Sequence, residues 1–240
     1  MLRKKQIKSW LNSLGWTAGR YDPKQDVSAV ERKFYKDNEI DLVFDVGANS
    51  GQFGTGIREN GYKGRIVSFE PLTNAYGQLK LKADRDGNWS AVNVALGDKS
   101  GMEVINVSEN SWSSSILKML PLHESIAPTS KYQSTQQVEV IRLDDVFARY
   151  ASSDNSVLLK IDTQGYTAKV LDGGAQAMQS IKALQIELSL VRLYDEEPLI
   201  GDILASLYSN GFKLHYAYPE LYDENTGAQL QMNGIFVRCA

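Results

Sequence analysis

Short apolar runs recur along this chain, and most are continuous rather than alternating. "DLVFDV" (41–46), "GRIVSFE" (64–70), "WSAVNVAL" (89–96), "SVLLKID" (156–162) and "ALQIELS" (183–189) read as strands, and unbroken apolar runs of this length suit strands buried on both faces. Segments with the length and spacing of helices separate them: "GQFGTGIREN", "LTNAYGQLKLKADR", "TAKVLDGGAQAMQSI" and, after the fifth run, "EEPLIGDILASLYSN". Such alternation predicts βαβ units and a parallel sheet. "FKLHYAY" and "MNGIFVR", joined through "PELYDENTGAQLQ", read as an antiparallel hairpin at the end of that sheet. The expectation is an α/β, Rossmann-like fold: seven strands, mostly parallel, the last antiparallel, with helices on both faces.

Two segments break the rhythm. Residues 1–39 read as a helical, polar lead-in to a domain spanning 40–240. Within the lead-in, Ile7, Trp10, Leu11 and Leu14 fall at helical spacing, with Lys4, Lys5 and Lys8 nearby. That is a short basic amphipathic helix, suited to packing on the domain, to a neighbouring subunit in a homo-oligomer, or to peripheral contact with an anionic membrane. In the middle, residues 101–142 carry two alternating runs, "MEVINV" and "QVEVIRL", around a Ser-rich, Pro-containing stretch. This reads as an insertion of two extra strands and a loop or short helix over the site.

Composition narrows the class. The 240 residues are 42% hydrophobic and 23% charged, ordinary for one soluble α/β domain. The net charge of −3 argues against a nucleic-acid partner. The one cysteine, Cys239, rules out a disulfide framework within the chain and suits a reducing, cytoplasmic compartment.

Chemistry concentrates where the first strand ends, in "FDVGANSG". A dinucleotide turn wants G-x-G-x-x-G for a pyrophosphate, but Asn49 stands where the second glycine belongs, and the acid Asp45 would repel phosphate. A cationic cofactor would welcome that acid. S-adenosylmethionine is one: it carries an ammonium and a sulfonium and no phosphate. Glu70, about 20 residues on at the end of the second strand, is an acceptor for a pair of ribose hydroxyls.

The ordered set "FDVGANSGQF", "SFEP", "NVALGD", "RLDDV", "LKIDTQGYTAKVLDGG" and "QIELS" resembles the FkbM-type methyltransferases, from about residue 40 to 237. The resemblance implies a class I S-adenosylmethionine-dependent O-methyltransferase. Its cofactor would lie among Asp45, Gly47, Asn49, Gly51, Phe53, Glu70, Pro71, Ala95, Leu96 and Asp162, with adenine near Ala95, Leu96 and Asp98. Relatives act on sugar hydroxyls of glycans or glycolipids, or on polyketide hydroxyls. Ala168 stands where relatives often carry an acid.

Methyl transfer to an alcohol needs a group that takes the hydroxyl proton, or a metal ion that acidifies it. Asp162 and Glu187, at neighbouring strand ends, are candidates for either role, the second as Mg²⁺ ligands. Lys160 shares a sheet face with Asp162 and is a further catalytic candidate: a base of lowered pKa or, the favoured reading, the partner of an acid. His215, His123, Trp112, Arg192 and Tyr194 are further candidates around the acceptor. Three other classes remain: a binding module without turnover, a nicotinamide-dependent sugar enzyme, and a nucleic-acid methyltransferase. The absence of a Tyr-x-x-x-Lys pair counts against the second, and "IDTQGY" in place of an Asp/Asn-Pro-Pro-Tyr signature counts against the third.

Overall fold

The computed structural model describes residues 4–16, 22 and 26–239. Two helices come first, α1 (Lys4–Ser13) and α2 (Val27–Asp37). The alternation then runs β1 (Leu42–Val46), α3 (Gln52–Glu59), β2 (Arg65–Phe69), α4 (Thr73–Asp86) and β3 (Trp89–Val92). The inserted region holds β4 (Ala95–Leu96), β5 (Gly101–Ser108), α5 (Pro121–Ile126) and β6 (Tyr132–Ile141), followed by α6 (Leu143–Tyr150). The alternation resumes with β7 (Val157–Ile161), α7 (Thr167–Asp172), β8 (Ile181–Ser189), α8 (Ile200–Ser209), β9 (Phe212–Pro219) and β10 (Gln231–Arg238).

Seven strands form the main sheet in the order β3-β2-β1-β7-β8-β10-β9. The first five pair in parallel, and β10 runs antiparallel to both its neighbours. This is the architecture the sequence predicts. Strand order reverses between β1 and β7, so the crevice beyond their carboxyl ends is where ligands settle in such sheets.

Period-2 alternation divides the central strands between two cores. Leu42, Phe44, Val46, Leu159 and Ile161 face α6, α7 and α8. Val43, Ile66, Leu158 and Ala183 face the other way, against Phe34 and Tyr35 of α2, Ile57 of α3 and Leu79 of α4. Helix α2 is therefore part of the packed domain. Its N-terminus is capped by Asp26, whose side chain accepts from the Ala29 N–H at 3.2 Å.

One level of the second face is polar. Register aligns Ser68, Asp45, Lys160 and Gln185 on adjacent strands. Ser68 donates to Asp45 Oδ2 at 2.9 Å and accepts from Trp89 Nε1 at 2.9 Å. Lys160 Nζ lies 3.1 Å from Asp45 Oδ1. Gln185 donates to Glu31 Oε1 at 3.0 Å and accepts from the Tyr35 hydroxyl at 3.1 Å. A buried polar belt thus crosses the sheet and ties α2 to it.

The structure departs from the sequence reading in two elements. "WSAVNVAL" is not one strand. Asn93 donates to the carbonyls of Glu70 and Pro71, and the chain leaves the main sheet there. β4 then joins a separate three-stranded sheet, β4-β6-β5, whose core is Leu72, Ala95, Ile105, Val138 and Val140. The helix read over "TAKVLDGGAQAMQSI" stops at Asp172, and a 3₁₀ turn covers Ala177–Ser180. Just past that end the chain packs closely on the β4 loop, where a Cβ on Gly173 would lie 1.8 Å from the Gly97 carbonyl oxygen.

The belt yields a stability prediction. Lys160→Met leaves the Asp45 carboxylate buried without its counter-charge and should cost about 3–5 kcal/mol. The Asp45→Asn/Lys160→Met double variant should recover part of that loss. Denaturant midpoints of the three proteins check it, and a Lys160→Met midpoint equal to wild type refutes it.

Candidate active site

Beyond the carboxyl ends of β1, β2, β4 and β7 lies a cavity of about 500 Å³, roofed by the insertion. The β1 turn supplies Gly47, Ala48 and Asn49. Gly47 sits at φ 74°, and a Cβ there would meet the Asp162 carbonyl oxygen at 1.9 Å. No side chain fits where the ends of β1 and β7 approach so closely. Asn49 takes a left-handed φ of 48°, which aims its N–H at Glu70 Oε2 at 2.8 Å. Its side chain donates to Ser111 of the insertion at 3.1 Å. Gly51, also left-handed, does not reach the cavity; it gives room to Trp89 and Leu79.

Glu70 is nearly fully buried at the cavity wall. Oε1 accepts the Leu72 N–H at 2.8 Å and Oε2 that of Asn49. Each oxygen keeps a free acceptor site toward the cavity. Burial pushes the carboxyl up to about 7, against the pull of these two N–H groups. Pro71, Leu72, Ala95, Leu96 and Ile116 give this side an apolar lining. Asp98, expected beside them, instead pairs with Lys169 at 2.9 Å.

Asp45 does not face the cavity. Its carboxylate is fully buried and engaged by Lys160 and Ser68, which corrects the expectation that it meets a cationic cofactor directly. Lys160 Nζ also lies 3.6 Å from Asp162 Oδ2, 3.3 Å from the Gly47 carbonyl and 5.4 Å from the centre of the Phe53 ring. Burial alone would lower its pKa, but Asp45, Asp162 and Glu187 outweigh it and raise it. Lys160 is therefore an ammonium that orders the acids around it, and no base.

The acids of the acceptor side meet at one residue the sequence reading passed over. Gln164, at a left-handed φ of 51°, donates its amide to Asp162 Oδ1 at 2.9 Å and Glu187 Oε2 at 3.2 Å. It accepts from the Tyr194 hydroxyl at 2.7 Å, and its carbonyl accepts from Ser115 at 2.7 Å. The Gln-Gly pair after a strand-end acid was the available signal, since a non-glycine residue in that turn must be held there. Burial first, then Asp162, Glu220 and Glu197, hold the Glu187 carboxyl well above the usual range.

These acids do not make a metal site. Among the described residues no group of three or more His, Cys, Asp or Glu is arranged to hold an ion. The Gln164 amide and the Lys160 ammonium already point at the carboxylates a cation would need. The expected Mg²⁺ on Asp162 and Glu187 therefore does not fit this donor set.

His215 is also corrected. It is exposed on the far side of β9, its ring 4.9 Å from that of Phe34, and takes no part in the cavity. His123 does line it, buried, its ring edge-on to Tyr194 at 5.1 Å. Burial pulls its pKa down to about 4, so it is neutral at physiological pH. Its Nδ1 and Thr163 Oγ1 are buried at the cavity without hydrogen-bond partners among the described residues. Trp112 stands largely exposed at the rim. Arg192 points elsewhere, to the Glu197 carbonyl.

A family model described as the methyltransferase FkbM domain matches residues 45–214. No curated protein matches significantly. Solved structures with a similar course include the methyltransferase FkbM from Methylobacillus flagellatus KT (12% identity, 86% of this chain and 51% of that one, TM-score 0.47). Another is an S-adenosylmethionine-dependent methyltransferase, itself assigned provisionally, from Listeria monocytogenes (11% identity, 89% and 98%, TM-score 0.49). A third is the magnesium protoporphyrin IX methyltransferase from Synechocystis PCC 6803, solved with S-adenosylmethionine bound (12%, 100% and 99%, 0.47). On the family match, which covers well over half its length, this chain belongs to the FkbM family of S-adenosylmethionine-dependent methyltransferases.

Proposed function

We propose that this protein is an O-methyltransferase acting on a sugar hydroxyl of a glycan or glycolipid. The observation that carries the reading is the single cavity that joins a buried ribose-type acid, Glu70, to a cluster of acids and amides at Asp162, Gln164 and Glu187. Carboxylates, amides, the unpartnered His123 Nδ1 and an exposed Trp112 ring are the groups that bind sugars: acceptors and donors for hydroxyls, and a flat face for C–H bonds.

The residues divide by task. Glu70 takes the ribose hydroxyls with its free acceptor sites, and the lining of Leu72, Ala95 and Leu96 receives the adenine. The bound cofactor supplies an electrophilic methyl group. Asp162, half-buried and lining the cavity, would accept the proton of the acceptor hydroxyl as that oxygen takes the methyl group from the cofactor's sulfur. Gln164 and Lys160 fix its two oxygens. His123 and Thr163 receive neighbouring hydroxyls and orient the nucleophile. A polyketide or other small-molecule hydroxyl is the second acceptor class for the same machinery.

Four outcomes test this. Glu70→Gln should weaken S-adenosylmethionine binding by about 1–3 kcal/mol in calorimetry, since charge-assisted hydrogen bonds are lost. Because the ionised Glu70 is the better acceptor and its pKa is raised to about 7, wild-type affinity should fall as pH drops through that value, and Glu70→Gln should flatten the dependence. A pH-independent wild-type affinity would remove Glu70 from the ribose.

Asp162→Asn should lower turnover on a sugar acceptor about a hundredfold or more while leaving cofactor affinity nearly unchanged. Near-normal turnover in Asp162→Asn would move the proton acceptor to His123. Chelation with EDTA should leave the rate unchanged; loss of activity restored by Mg²⁺ would reinstate the metal.

A further inference from the structure

We infer that α1 docks this protein on a lipid surface bearing anionic headgroups. Three observations meet there. Ile7, Trp10 and Leu14 are exposed large apolar side chains, Trp10 at 62%. Ile7 and Trp10, three residues apart, share one stripe of the helix, and Leu14 follows in the turn that ends it. Neither Ile7, Trp10 and Leu11 of α1 nor Leu14 after it enters any of the hydrophobic cores formed by the described residues.

Charge then selects the partner. The chain as a whole carries a net charge of −3, yet its first sixteen residues hold four basic side chains, Arg3, Lys4, Lys5 and Lys8, and no acid. An apolar stripe within a purely basic segment complements an anionic bilayer twice over. The stripe enters the headgroup boundary while the cations meet the negative surface potential. Tryptophan is itself enriched at that depth. A second copy of this acidic chain would offer net negative charge but no apolar layer of matching thickness; it is the competing occupant. No helix among the described residues is long and apolar enough to cross a membrane, so the contact is peripheral.

The test uses the full chain with no cofactor or acceptor, so it stands or falls independently of the methyl-transfer reading. The protein is sedimented with vesicles of phosphatidylcholine alone and of phosphatidylcholine mixed with phosphatidylglycerol. Binding is expected only to the mixed vesicles, weakening as salt is raised. Replacing the lysines singly by glutamine should reduce partitioning by about fivefold each. Trp10→Ser/Leu14→Ser should abolish it without changing the thermal unfolding midpoint, since these side chains lie outside the cores. Equal binding to neutral vesicles, no binding to either, or unchanged binding by the variants overturns the inference. So does a concentration-dependent dimer in sedimentation velocity that Trp10→Ser/Leu14→Ser dissolves while vesicle binding is absent.

Discussion

The Asp45–Lys160 ion pair is the constraint on which the rest depends. The two residues sit opposite one another on adjacent parallel strands at the point where strand order reverses. Taking both charges out of water is costly, and their attraction alone need not recover it. The surroundings do more. Ser68 donates to the other Asp45 oxygen, and Lys160 reaches the Gly47 carbonyl and Asp162. A register slip by one residue would strand both charges in an apolar core. The pair therefore fixes the register of β1 against β7, and with it the relative position of the two turns that follow these strands.

From those strand ends the site is assembled by two residues in left-handed backbone. Asn49 bridges Glu70 to Ser111, and Gln164 bridges Asp162 and Glu187 to Tyr194 and Ser115. Each carries a conformation that favours glycine, at a modest energetic cost, and each connects the parallel sheet to the insertion. The roof is further stitched down by the Leu120 N–H to the Leu193 carbonyl and by the Met119, Leu193 and Tyr194 cluster. Both turns are thus tied to the same inserted segment.

Most of the sheet was legible because parallel strands buried on both faces leave long apolar runs, and "LVFDV" and "VLLKI" are buried at every position. The break in "WSAVNVAL" was not, because it is made by Asn93 bonding to carbonyls of a different loop. The same limit explains the site. Glu70 and Asp162 announce themselves by standing at strand ends, a local signal. Whether Asp45 faces a ligand or a lysine depends on the pairing register of β7, more than a hundred residues away. His215, in a strand, was the histidine preferred for the site and His123, in the insertion, the one expected to be exposed; the three-dimensional roof buries His123 and leaves His215 outside. Gln164 has no chemistry of its own to flag and matters only as the geometric centre of others.

The electrostatics of the cavity bear on what it accepts. Glu70, Asp162, Glu187 and Glu220 border one space, with Lys160 behind them and already committed to Asp45 and Asp162. Crowding and burial raise the carboxyls of Glu70, Glu187 and Glu220, so in the empty cavity ionisation of these acids is held back. A phosphate would add charge of the same sign to that field and find no free cation among the described residues that line it. A cationic, hydroxyl-bearing ligand would relieve it, lowering the raised pKa values as it binds.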